Sequence, residues 1–150
     1  MGKEDRSRNF IRKFGKVILI AVICLIVGGA VFLYFKIKTE AHDALREAKN
    51  VRMALVSADI EMYGIGKTVF DPFESDGLME GAKAKAEKIY MPDGVYKVTS
   101  YDYDDHEITG MTYRNGHYVV TYMKKGDNTT WDVNYQLNVY HSDESDVIVD

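Results

Sequence analysis

Nineteen uncharged residues in a row, Val17 to Phe35 (VILIAVICLIVGGAVFLYF), constrain this chain more than anything else in it. At about 1.5 Å per helical residue the run is ~28 Å long, close to the ~30 Å hydrocarbon core of a bilayer. Arg12, Lys13 and Lys16 precede it, and Lys36 and Lys38 follow. Tyr34 and Phe35 stand where an aromatic belt forms, and the flanking lysines can snorkel to headgroups. A core helix of a soluble protein is the bland alternative, but such helices rarely lack charge for so long. A cleaved secretory signal is another, with Gly28-Gly29-Ala30 as its small residues. Cleavage after Ala30 leaves Val-Phe-Leu-Tyr-Phe as a free apolar terminus, so the run reads as a retained span.

Charge is divided unevenly around that span. Residues 1–35 carry six Lys/Arg against Glu4 and Asp5, a net of +4. Residues 36–150 carry 13 Lys/Arg against 21 Asp/Glu, a net of −8, and the whole chain is −4. A basic leader before a span predicts a cytoplasmic tail over 1–16, a transmembrane helix over 17–35 and an extracytoplasmic domain over 36–142 in the cell membrane. Residues 143–150 are an acidic tail. The acidic outer domain argues against nucleic acid as a partner. The lone cysteine, Cys24, lies within the span, so no intrachain disulfide forms and no Cys₂His₂ site exists. Cys24 and Gly28 make a small-xxx-small pair, the kind of spacing that admits a neighbouring helix; small residues are also simply common in spans.

The helical pattern continues past the membrane. Ile37, Ala41, Ala44, Ala48, Val51, Leu55, Ala58 and Met62 recur at alternating steps of four and three, one face of a helix. Lys38, Glu40, Asp43, Arg46, Glu47, Lys49 and Asn50 form the opposite, wet face. No Pro or Gly lies between Gly29 and Gly64, which predicts one helix from about Lys16 to Tyr63, stopped by Gly64 and Gly66. The seam suits either a coiled coil between subunits or a sheet within the chain. Four of its eight positions are Ala, whereas a two-stranded coil prefers Ile, Val and Leu, so packing on a sheet is the better fit.

Residues 64–77 read as a Gly-bearing loop. Asp76 is placed to cap a short helix from about Leu78 to Tyr90, and Met91-Pro92-Asp93-Gly94 reads as a turn. From Val95 the period changes to two. Strands are predicted at Val95–Asp102, Glu107–Tyr113, His117–Lys124 and Thr129–His141, with Asn115-Gly116 and Lys125–Asn128 as hairpin signals. Val147–Val149 offers a further edge strand. Short consecutive turns imply an antiparallel meander. The fold class is therefore α+β: a long N-terminal helix, transmembrane in its first half and amphipathic in its second, packed on a four-stranded antiparallel sheet.

A basic leader ending in glycine (Arg12-Lys13-Phe14-Gly15), the apolar helix Val17–Phe35, its amphipathic extension Lys36–Tyr63 and a following antiparallel sheet resemble the type IV pilin-like proteins, including the pseudopilins of type II secretion. The likeness covers most of the chain as architecture and about 20 residues as sequence. It implies processing between Gly15 and Lys16, and assembly with pilin-like or secretion-system subunits. Family members usually have Phe or Met after that glycine and Glu five residues into the mature chain; here Lys16 and Ile20 stand there. A carboxylate in lipid is costly and is kept only for a task. Its absence implies an uncleaved anchor, or a minor or tip subunit, rather than a major pilin.

Chemical motifs are sparse. Gly64-Ile65-Gly66-Lys67-Thr68 ends like a phosphate-binding loop, but Glu61 replaces the first glycine and a helix precedes it. Asp102-Tyr103-Asp104-Asp105-His106-Glu107 reads as a solvated turn; as a calcium loop it lacks the required Gly and a repeating ligand spacing. His42, His106, His117 and His141 share no metal-binding spacing, and no Ser lies in a nucleophile elbow. Tyrosines crowd the strands, where some must pack beneath the helix with Trp131, and outward ones suit protein recognition. The expected function is a membrane-anchored, pilin-like structural subunit without cofactor, metal or catalysis. The alternative is a tethered module whose sheet face holds a ligand or a partner.

Overall fold

The computed structural model describes residues 2–136, with side chains from Gly15 onward. The expected extension of the last strand to His141, the strand at Val147–Val149 and the acidic tail lie outside the described residues. The elements are α1 (Gly2–Tyr63), α2 (Ala82–Ile89), β1 (Val95–Asp102), β2 (Glu107–Asn115), β3 (Tyr118–Lys125) and β4 (Asn128–Tyr135). The strands form one antiparallel sheet in the order β1-β2-β3-β4. The fold is α+β, a long N-terminal helix and a four-stranded meander. The chain divides into two compact units, 1–40 and 41–150.

Helix α1 begins at Gly2, well before Lys16. Between Lys3 and Lys16 there is no Pro and a single Gly, and one internal Gly costs about 1 kcal/mol, too little to break a long helix. The helix ends where expected. Gly66 takes φ 73°. The Lys67 amide donates to the Met62 carbonyl (3.0 Å) and the Gly66 amide to that of Tyr63 (2.9 Å). This is a Schellman stop, and it needs the residue without a Cβ.

In unit 1, the large apolar side chains of the Val17–Phe35 run are 46–75% exposed. This is the one stretch among the described residues long and apolar enough to cross a membrane.

In unit 2, α1 lays a small-residue face on large sheet residues. Ala44, Ala48, Val51, Ala54, Leu55, Ala58 and Met62 are buried against Val98, Ile108, Met111, Tyr113, Val120 and Tyr122. Alanine on the helix leaves room for tyrosine and methionine on the sheet. Ala82 and Ala86 of α2 join the same core.

Helix α2 is shorter than the expected Leu78–Tyr90. Leu78 instead makes an isolated bridge with Phe70, and Gly81 (φ 83°) sets the helix start. The Asp76 carboxylate accepts from the Leu78 amide (3.1 Å), so it caps a turn rather than the helix. The same segment crosses the outer edge of β1: the Val98 amide donates to the Asp76 carbonyl (2.9 Å). Gly77 permits this approach, since a Cβ there would lie 2.0 Å from the Val98 carbonyl oxygen.

Strand β1 keeps an inward row of Tyr96, Val98 and Tyr101 by spending one extra residue at Thr99, and β2 does the same at Thr109. The two irregularities offset each other, so Val98 still meets Met111 and Tyr101 still meets Ile108. Gly110 sits between them, and a Cβ there would collide with Ser100 Oγ at 2.4 Å. The β2–β3 hairpin also differs in detail from the Asn-Gly reading. Asn115 is the last paired residue, and the two-residue loop is Gly116-His117 with positive φ at the glycine. Gly126-Asp127 repeats this glycine-first arrangement between β3 and β4. Glycine at the first loop position belongs to a II′ turn, whose twist matches the strands.

Candidate functional site

The residues expected to form the packing seam fall into two groups. Ala44, Ala48, Val51, Leu55, Ala58 and Met62 are buried, and Ala41 is half-buried. Ile37 belongs to unit 1 and is exposed. Ala54, and Leu45 and Val56 at the margins, also pack in this core.

Polar side chains along both flanks of the seam tie it to the sheet. Glu47, read from sequence as part of the wet face, is half-buried. Its carboxylate accepts from the Tyr113 hydroxyl and from Asn115 Nδ2, the latter at 3.1 Å. Position 47 is next to the seam residue Ala48, so its side chain reaches inward around the helix edge. One turn on, Arg52 Nη2 donates to Glu107 Oε1 at 3.0 Å, and its guanidinium stacks 4.5 Å over the Tyr122 ring. Lys124 donates to the other Glu107 oxygen. Asp59 is the buried acid: it accepts from the Tyr101 hydroxyl (2.7 Å) and from the Val69 amide (2.7 Å). It thereby joins helix, sheet and loop at one point. Burial, then the bond to Asp59, raises the Tyr101 pKa well above its usual value; burial, then Glu47, does the same for Tyr113. These clamps escape period counting, which registers apolar faces. The one local signal was an acid wedged between Ala58 and Met62.

The acidic turn between β1 and β2 is built as a turn. The Asp102 carboxylate accepts from the amides of Asp104 (2.9 Å) and Asp105 (3.2 Å), and His106 completes it with φ 50°. It borders an open, polar groove of about 560 Å³ that includes Tyr103, Lys124 and Asp127. Among the described residues no group of three or more His, Cys, Asp or Glu is close enough to hold a metal ion. His106 lies against Tyr63 (ring centroids 4.6 Å) and His117 against Tyr135 (5.6 Å). His42 is on α1 and His141 lies outside the described residues. Tyr96, Tyr101, Tyr113, Tyr118 and Tyr122 are core residues, while Tyr103 and Tyr135 face out.

In unit 1, Gly15 and Lys16 lie within the helix, and Cys24 and Gly28 are exposed on it, with open space around a Cβ built at either glycine. Among the described residues no chemical constellation dominates. What they present is a helix held on a sheet by alanine packing and three polar clamps, together with exposed apolar side chains on unit 2, Phe73 foremost. Compared with protein-family models, with curated proteins and with solved structures, the chain has no match.

Proposed function

We propose that this chain is a single-pass, membrane-anchored structural subunit of the pilin-like kind, acting through protein–protein assembly rather than catalysis. Its tail 1–16 faces the cytoplasm and its α+β unit lies outside, in the role of a minor subunit of a filament or secretion system. The observation that carries the reading is the single helix α1. It contains the membrane-length apolar run and then, with no break in the helix, the seam that α1 lays on the sheet. The clamps at Glu47, Arg52 and Asp59 make the C-terminal part of α1 integral to the folded unit. With Ile20 in place of an acid, assembly has to draw on contacts outside the lipid.

The test is amine-reactive crosslinking of the full chain in its own membranes, followed by mass measurement. The expected result is a ladder of multimers or defined products with other membrane-anchored subunits. A chain that remains a lone monomer at every crosslinker concentration overturns the reading.

A further inference from the structure

We propose that Phe73 of one copy docks between α1 and α2 of a second copy, a head-to-tail contact that rests on the assembly reading above and names its interface. Phe73 is 97% exposed, the most exposed large apolar side chain described. It is held out by a hydrogen-bonded loop. Its amide donates to Asp71 Oδ1 (3.0 Å), the Glu74 amide to the Asp71 carbonyl (3.3 Å), and the Asp71 amide to the Gly77 carbonyl (3.2 Å). Pro72 removes further freedom before it. A preorganised aromatic knob loses little entropy on binding, and buried aromatics are the usual anchors of interfaces.

A receiving groove of about 340 Å³ lies on the same unit, lined by Asn50, Met53, Ala54, Ser57, Ile89 and Tyr90. Met53 and Ile89 are 66% and 52% exposed there. The unit's own Phe73 does not occupy it, since that ring is in solvent. The charges beside the two surfaces are opposite. The knob segment 71–76 carries Asp71, Glu74 and Asp76, a net of −3. Helix α2 carries Lys83, Lys85 and Lys88 against Glu87, a net of +2. Lys85 already pairs with Glu61 at 2.9 Å, and Lys83 lies over Tyr96, so Lys88, next to the groove residue Ile89, is the cation assigned to the incoming acids. The acidic flanks of the knob also disfavour insertion into an anionic membrane. Knob and groove are different surfaces, so the contact is heterologous and joins copies head to tail.

Two differently tagged full-length versions, both Cys24→Ser and both keeping Phe73, are co-expressed, one with Ser75→Cys beside the knob and the other with Ser57→Cys, and treated with a short bis-maleimide. The expected product joins the two tags, and replacing Ser57→Cys by Asp132→Cys on the outward sheet face abolishes it. In the otherwise unaltered chain Phe73→Asp should lower the amine-crosslinked multimer fraction about tenfold, the cost of losing one interface anchor. Both substituted side chains are exposed, so the unit keeps its fold. Multimers that form without the 75–57 product and are indifferent to Phe73→Asp overturn this contact and leave the assembly reading standing. Capture of a different protein by position 75 also overturns it. The absence of any crosslinked product, with itself or with another subunit, sinks both.

Discussion

The two compact units contain parts of one helix that solve opposite problems. In unit 1 the side chains of Val17–Phe35 are apolar all round and about half to three-quarters exposed. In unit 2 one face of α1 is almost fully buried while its other side carries charge. A helix apolar on every side has no inside and needs an apolar solvent, whereas one with a single apolar face needs one partner layer. The contrast teaches that α1 is one backbone element with two kinds of surface. Its internal hydrogen bonds are the same throughout, and only the unit-2 part depends on the sheet.

That contrast can be broken most directly at paired leucines. Leu55 is fully buried in unit 2, and Leu55→Ala should cost ~2–5 kcal/mol through lost transfer energy and a residual cavity. Leu25→Ala in unit 1 should leave unit-2 stability unchanged. Urea unfolding of the detergent-solubilised chain, followed by Trp131 fluorescence, reads both, and equal losses would end the distinction. Leu25→Asp makes the reciprocal case. It should cost about 3 kcal/mol of membrane insertion and shift the chain out of the membrane fraction, with the unit-2 unfolding midpoint preserved. Unaltered integration would argue against a span at that residue.

A subtler probe distinguishes small-residue packing from mere burial. Ala48 is fully buried, and Ala48→Leu should destabilise unit 2 by ~1–3 kcal/mol through overpacking. A neutral or stabilising outcome would mean that the helix stands further from the sheet than described. The smallest effect concerns the clamps at alkaline pH. The Tyr101 and Tyr113 hydroxyls are raised above their ordinary value of 10.0, first by burial and then by Asp59 and Glu47. The folded state therefore holds these protons more tightly than the unfolded chain does. The associated stability is complete below pH 10 and is lost as pH rises beyond it. The urea midpoint should stay level between pH 7 and 9 and fall as pH rises above 10. Tyr101→Phe combined with Tyr113→Phe should lessen the alkaline fall, with buried Tyr96, raised in the same way, supplying the remainder, and an unchanged slope would remove these two tyrosines as its cause.

Much of this architecture is legible locally. Strand β1 lies at its expected bounds, and β2–β4 lie within a residue or two of theirs as far as they are described, because period-two alternation and glycine turns act over neighbouring residues. The end of α1 was legible for the same reason, from Gly66. Around α2 and along the seam, local reading erred where another segment had intervened. Leu78 was drawn from a helix into a bridge with Phe70, and Asp76 from a helix cap into a turn across the β1 edge. Glu47 looked solvated because the helical wheel contains no sheet; Tyr113 and Asn115 approach it from more than sixty residues away. The exposed Phe73 was invisible too, since apolar character says nothing about which apolar residues find no partner.

By itself the sequence determined the membrane-length apolar helix, its amphipathic continuation, the order of the strands and the turns between them. These follow from composition and periodicity within short windows, where the chain's own neighbours supply the physics. Only the tertiary structure decided that Asp59 would hold a tyrosine and a loop amide. It also decided that Gly77 and Gly110 would admit other segments at distances no Cβ allows, and that an aromatic knob and an apolar groove would both remain uncovered. Those outcomes depend on which remote surfaces meet, and shape complementarity between distant segments is not written in any one window of the chain.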